Sequence, residues 1–120
     1  MPAPYFSNYA ATKSYVLNLG MSLRWELQKK GIDISVLTPG PTDTPMVDGV
    51  QESFDLSKVP LDLMSAKKVA QIALKGLGKK AVIIPGAKNK LMAFIGKHFV
   101  GRRASIDMGG KMMEKALKQD

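Results

Sequence analysis

The sequence predicts an α/β fold built on parallel strands, and two observations carry that prediction. An amphipathic stretch of helical period, from Tyr9 to about Gly31, is followed at once by the apolar, β-branched run Ile32 to Thr38. The same pairing recurs between Ser65 and Ile84, so helix, strand, loop, helix and strand form one right-handed crossover.

Taken in order, Met1 to Phe6 holds two prolines and reads as an extended lead-in. Ser7 and Asn8 can each cap the helix that follows. Within that helix Val16, Leu19, Leu23 and Leu27 repeat at helical spacing, Lys29 and Lys30 complement the dipole at its end, and Gly31 stops it. Leu17, Met21 and Trp25 repeat four apart on a neighbouring face, which suits a subunit interface or packing on the sheet equally well.

Ile32 to Thr38 reads as a buried parallel strand, ended by Pro39-Gly40-Pro41. Thr44 to Pro60, with Pro45, Gly49 and scattered apolar residues, reads as an irregular loop. Ser65 opens a second helix running to Leu77 and ended by Gly78, with Ala66, Val69, Ala70, Ala73 and Leu77 inward. Lys80 to Ile84, closed by Pro85-Gly86, is the second strand. Beyond it Leu91, Phe94, Ile95 and Phe99 sit among Lys88, Lys90, Lys97, Arg102 and Arg103, and Lys111 to Lys118 repeats the theme. The expected organisation is therefore a unit over residues 1–86 and a basic amphipathic helical extension over residues 87–120.

The chain has 120 residues and 45% hydrophobic content, enough for a core. It has no cysteine, which excludes disulfides and thiolate metal sites, and its lone His98 makes neither a metal site nor a catalytic triad. No charged-then-apolar leader is visible and no apolar run approaches the roughly 20 residues of a membrane span. A cytoplasmic location is the expectation. Residues 1–64 carry five Lys/Arg against seven Asp/Glu, whereas residues 65–120 carry thirteen against three, so the net charge of +8 belongs to the second half. A basic amphipathic tail can lie on an anionic membrane surface or cover its own domain. Nucleic acid ranks last among partners, because charge alone supports it.

Chemistry is legible in one place, Tyr9-Ala-Ala-Thr-Lys13. Tyrosine and lysine at i and i+4 share a helical face, so phenol and ammonium can meet over one site. A free phenol, with a pKa of about 10, exchanges protons poorly near neutrality, and a cation fixed beside it favours the ionised form. Such a pair suits proton transfer to or from an alcohol or carbonyl oxygen. The pattern is short, and a tyrosine packed at a helix start beside a solvated lysine would look the same.

The surroundings decide between these readings. Ser7-Asn-Tyr9-Ala-Ala-Thr-Lys13, then Gly31-Ile-Asp-Ile-Ser-Val, then Pro39-Gly-Pro-Thr-Asp-Thr44 together resemble the short-chain dehydrogenase/reductase family over residues 4–46. The resemblance implies an alcohol/carbonyl oxidoreductase using NAD or NADP. Tyr9 would be the acid/base; Lys13 would favour its ionisation and hold the nicotinamide ribose hydroxyls. Thr42, through its backbone, would meet the carboxamide, Thr44 the carboxamide or pyrophosphate, and Pro39 and Gly40 would bring the backbone close to the cofactor. The resemblance also implies a mobile lid over the substrate between Thr44 and Pro60, and pairing of the first helix with its mate in a homodimer. Pro85-Gly86 followed by Asn89-Lys-Leu-Met resembles a subgroup with a C-terminal extension, several of whose members act on lipid-like small molecules.

Only eight residues precede Tyr9, which leaves no room for the family's Gly-rich turn, its helical Asn or its active-site Ser; Ser7 is too close to the tyrosine to be that serine. The expected fold is thus the C-terminal part of a Rossmann-like doubly wound parallel sheet, about two strands and two main helices, plus a helical basic tail. Such a truncated half is expected to be inactive by itself and to need a homodimeric mate or a complementing N-terminal half. The rival expectation is a non-catalytic remnant serving as a dimerising, membrane-surface or protein-interaction module.

Overall fold

A computed structural model of the chain describes residues 3–59 and 62–117. Met1, Pro2, Pro60 and Lys118, which bound or belong to predicted elements, lie outside the described residues.

Helix α1, Ser7–Gln28, is the long element of the first half. It begins earlier than expected, so neither Ser7 nor Asn8 caps it. The N-cap position falls on Phe6, which offers no side-chain hydrogen bond. The lead-in is a turn rather than an extended arm: Phe6 N donates to Ala3 O at 3.0 Å, and Tyr5 takes a left-handed φ of 69°. At the other end Gly31 adopts φ 74° while Ile32 N donates back to Leu27 O, the left-handed stop that its missing Cβ permits.

Strand β1, Val36–Leu37, pairs in parallel with β4, Val82–Ile83, in the register Val36 to Val82 and Leu37 to Ile83. Val36 N donates to Ala81 O at 2.8 Å and Thr38 N to Ile83 O at 2.9 Å. Both strands are shorter than their apolar runs, since only the pairing between them defines a ladder. A second parallel pair joins β2, Thr42–Asp43, to β3, Met64–Ser65, which the sequence did not announce. Helix α3, Ala66–Gly76, lies between β3 and β4 in the chain and is capped by the Ser65 hydroxyl, which accepts from Lys68 N.

The inward face of α3 is turned from the one expected. Val69 and Gly76 are buried, with Ile72 and Ala73 partly so, whereas Ala66, Ala70 and Leu77 are exposed. Gly76 sets this rotation: a Cβ there would lie 2.8 Å from Ile83 Cδ1, so the helix approaches the sheet at a glycine and swings Ala66 and Ala70 outward. On the other element Gly20 plays the same part, with Val36 Cγ2 2.5 Å from where its Cβ would be.

The stretch expected to be irregular holds helix α2, Pro45–Ser53, followed by a single 3-10 turn at Leu56–Lys58. Pro45 occupies a first-turn position, where its missing N–H costs nothing, and Val47, Val50 and Phe54 recur at helical spacing. Helices α4, Ala87–His98, and α5, Arg102–Ala116, are the last helices among the described residues. The end of α5 returns onto the α2 region: Phe54, Val59 and Ala116 are buried together, with Phe6, Val50, Leu56 and Met113 against them. Asp55 N donates to Ala116 O at 2.7 Å and fixes that return. Beside it the Asp55 carboxylate accepts from Ser57 Oγ at 2.6 Å and from Ser57 N, and the hydroxyl bond is the main reason it stays ionised below the usual Asp range.

Two outcomes are expected. Gly76→Ala should destabilise the chain by about 1–3 kcal/mol in urea titrations, because the new methyl overpacks buried Ile83, and Ile83→Val in the same chain should recover part of the loss. The folded-state pKa of Asp55 is lowered, so its contribution is present above the ordinary Asp value and is lost as pH falls through the folded one. An Asp55→Asn variant should therefore show a shallower loss of stability on acidification, read by circular dichroism between neutral pH and the acid limb.

Candidate active site

Parallel pairing sends β1 and β4 out of the sheet at the same end, and both leave through a Pro-Gly turn, Pro39-Gly40 and Pro85-Gly86. In open α/β sheets the crevice beyond the carboxyl ends of the strands is where ligands bind.

Helix α1 runs antiparallel to β1. Gly20 lies against Val36, while the Arg24 guanidinium donates to Ile34 O, so lower numbers on the helix meet higher numbers on the strand. Seven residues of helix and three of strand each cover about 10 Å. Lys13 therefore stands level with Pro39, and Tyr9 one turn beyond the strand end. At 100° per residue Tyr9, Lys13, Gly20 and Arg24 fall within an arc of about 60°. The face that α1 lays on the sheet is the face that carries Tyr9 and Lys13 past it.

The two side chains meet as the spacing predicts. Lys13 Nζ lies 5.3 Å from the Tyr9 ring centroid, within cation–π range, and Tyr9 remains 45% exposed. Both groups are thus accessible from outside. A cavity of about 570 Å³ bordered by Ser7, Ala10, Ser14, Arg102 and Ile106 lies along the opposite side of α1, apart from this pair.

Pro39 is exposed and Gly40 partly buried in the turn after β1. The Thr42 hydroxyl donates to Gly40 O at 3.0 Å and the Thr44 hydroxyl to Thr42 O at 3.4 Å, two local bonds that shape the loop. Each hydroxyl oxygen keeps lone pairs free to accept from a ligand amide. Thr44 is the extended N-cap residue of α2 without capping it by its side chain. Position by position, then, Tyr9 and Lys13 are in contact and Gly40, Thr42 and Thr44 are linked to one another through the loop. The two groups converge on the same end of the sheet without touching.

Asn89, in the first turn of α4, was not singled out as a site residue by the sequence. Its Nδ2 donates to Pro85 O at 2.9 Å, and the same amide occupies the space that a Cβ on Gly40 would need. It also lies 3.3 Å from the Cβ position of Gly86, which has φ 85°. One side chain thus braces both Pro-Gly turns. Only the glycine at position 40 lets it do so.

Three comparisons bear on this arrangement. Residues 1–55 match the family model described as short chain dehydrogenase. The chain is 28% identical over 103 residues to the 3-oxoacyl-[acyl-carrier-protein] reductase MabA of Mycobacterium avium, covering 86% of this chain and 36% of that protein. It is 27% identical over 89 residues to a 7beta-hydroxysteroid dehydrogenase of Mediterraneibacter gnavus, covering 73% and 34%. The chain thus spans about a third of the length of these curated relatives. A solved structure of a 7beta-hydroxysteroid dehydrogenase superposes with a TM-score of 0.69 at 24% identity, covering 87% of this chain and 40% of that one, which establishes the Rossmann-like fold.

Gly40→Ala should destabilise the chain by about 1 kcal/mol, because the new methyl displaces the Asn89 amide from Pro85 O. Asn89→Ala alone should cost a similar amount. The double variant should cost clearly less than the two losses added, and strict additivity in denaturation midpoints would show that the two positions are independent.

Proposed function

We propose, for a chain that belongs to the short-chain dehydrogenase/reductase family, an NAD(P)(H)-dependent interconversion of an alcohol and a carbonyl with Tyr9 as acid/base. The single observation that carries this reading is the Tyr9–Lys13 contact, displayed on the α1 face that overhangs the carboxyl ends of β1 and β4.

When bound, the nicotinamide supplies or accepts the hydride. The residues of this chain do the rest. In the direction of reduction Tyr9 Oη gives its proton to the carbonyl oxygen, and in oxidation it takes that proton back. The Lys13 ammonium, with three donors, would hold the ribose hydroxyls beside the Tyr9 ring. The Pro39-Gly40 turn brings bare backbone to the edge of the crevice, where Thr42 would meet the carboxamide and Thr44 the carboxamide or pyrophosphate. The residues present suit the nicotinamide half of such a cofactor, since an exposed phenol, an ammonium and a loop of hydroxyls gather at one end of the sheet. NAD and NADP are equally compatible with them.

The substrate is proposed to be a small, lipid-like carbonyl or alcohol compound, following the acyl and steroid compounds in the names of the relatives. The catalytic unit is proposed to span residues 1–86, with residues 87–120 an extension whose last helix returns onto Phe54 and Asp55.

Activity in this reading requires association, either with a second copy or with a segment that supplies the remainder of the sheet. The exposed area supports it. A compact monomer of this mass exposes about 6,300 Å², whereas this chain exposes 8976 Å². Tyr15, Val16, Leu19 and Trp25 of α1 are among the exposed apolar side chains, Trp25 at 64%. The excess is on the scale of a large obligate interface.

Titration of the full chain with NADH and NADPH, followed by nicotinamide fluorescence, should show saturable binding in samples that are folded by circular dichroism and self-associated by sedimentation. In the form that turns over a carbonyl substrate, Tyr9→Phe should lower the rate by about 10²- to 10⁴-fold while cofactor binding persists. Undiminished turnover in that variant would remove Tyr9 from the role. A folded chain that binds neither cofactor would favour an interaction module instead.

A further inference from the structure

The free edge of β4 is not a flat strand edge but one wall of a groove. The sheet has the order β1 then β4, so among the described residues β4 pairs on one side only. Along it runs a cavity of about 390 Å³ whose lining includes the three consecutive residues Val82, Ile83 and Ile84, and Ile72 of α3. Side chains of consecutive strand residues alternate between the two faces, so a cavity that takes in all three is bordered by the strand's backbone as well as by the Ile83 side chain that packs under Gly76. The other lining groups are Lys75 and Lys79, Lys80 just before β4, and Lys90 in the first turn of α4. Lysines thus bracket both ends of the exposed edge. Among the described residues no carboxylate lines the groove and none of the four lysines is ion-paired.

We propose that this groove is a docking site for an acidic, extended peptide segment of a partner protein, added as a further strand to the free edge of β4. Three features select this occupant. The unpaired strand offers main-chain hydrogen bonds, which an extended peptide accepts and a lipid headgroup has no use for. The apolar groups at this edge, Ile72 on the α3 side and Val82 and Ile84 on the opposite face, lie beside alternate side chains of such a strand, while carboxylates at its ends meet Lys75, Lys79, Lys80 and Lys90. A second copy of this chain is disfavoured, because pairing two β4 edges would bring eight lysines into one interface without a carboxylate between them. Lysines also guard exposed edges against aggregation. That task is served on a flat edge, and needs neither a concave shape nor apolar side chains between the charges.

A fluorescent, end-blocked peptide alternating glutamate and valine, titrated into the full chain at low salt, is the test. It should bind saturably, and both Lys79→Glu/Lys80→Glu and Lys90→Glu, each checked for fold by circular dichroism, should weaken binding by about tenfold or more. The backbone amides of Val82 and Ile84 should gain protection from hydrogen exchange when the peptide is bound. An equally acidic peptide with central prolines should bind at least about tenfold more weakly, since it cannot complete the ladder. Equal binding of the proline peptide would overturn strand addition. Binding of phosphatidylserine vesicles without binding of the peptide would reassign the groove to a membrane surface. Charge-reversed variants that aggregate while the parent chain binds no peptide would leave the lysines as edge guards alone, and the proposal would fall.

Discussion

The hydrogen bonds from Val36 N to Ala81 O and from Thr38 N to Ile83 O determine most of the architecture of this molecule. They make β1 and β4 parallel, and a parallel pair needs a long crossover, which the chain supplies through α2, β3 and α3. They also bring the two Pro-Gly turns to one end, where a single asparagine bridges them. With the ladder in that register, Gly20 and Gly76 let α1 and α3 come down onto Val36 and Ile83. The position of Tyr9 is a consequence. It lies on the sheet-facing side of α1, but beyond the point where there is sheet to cover it.

In the proposed function that geometry separates stability from chemistry along one helix. Gly20 and Arg24 spend their contacts on β1, whereas Tyr9 and Lys13, on the same face two to three turns earlier, touch each other and remain accessible. A phenol buried against the sheet could not reach a substrate, and one on the far side of the helix would face the cavity beside Arg102 and Ile106 instead. The i, i+4 spacing alone brings phenol and ammonium together. It is the phase of the helix, set by Gly20, that aims them.

How much of this architecture is legible in the sequence depends on whether the signal is local. The end of α1, the extent of α3 and the stops at Gly31 and Gly78 are written in short-range patterns, and the observed elements agree with them, whereas the start of α1 lies two residues earlier than that pattern gives. The helix at Pro45–Ser53 escapes a reading that takes Pro45 and Gly49 as breakers, although proline is at home in a first turn and Val47, Val50 and Phe54 keep helical spacing. The inward face of α3 differs from expectation because hydrophobicity favours its alanines, while the close approach at Gly76 decides the rotation. The pairing of Thr42–Asp43 with Met64–Ser65 and the brace at Asn89 depend on residues far apart in the chain. No periodicity encodes them.

The two free edges of the small sheet differ in a way that bears on how the chain meets other polypeptides. Around β1 the run Ile32 to Leu37 is apolar apart from Asp33 and Ser35, and Ile32 is left 48% and Leu37 38% exposed. An apolar edge of that kind gains by permanent burial, about 25 cal/mol for each Å² covered, and is a hazard when bare. The β4 edge is bracketed by unpaired lysines, whose attraction for a partner is screened by salt within about 10 Å. In the proposed reading, permanent completion of the sheet therefore belongs on the β1 side and reversible contact on the β4 side. The two can coexist, because pairing through one edge of the sheet leaves the hydrogen bonds of the other untouched.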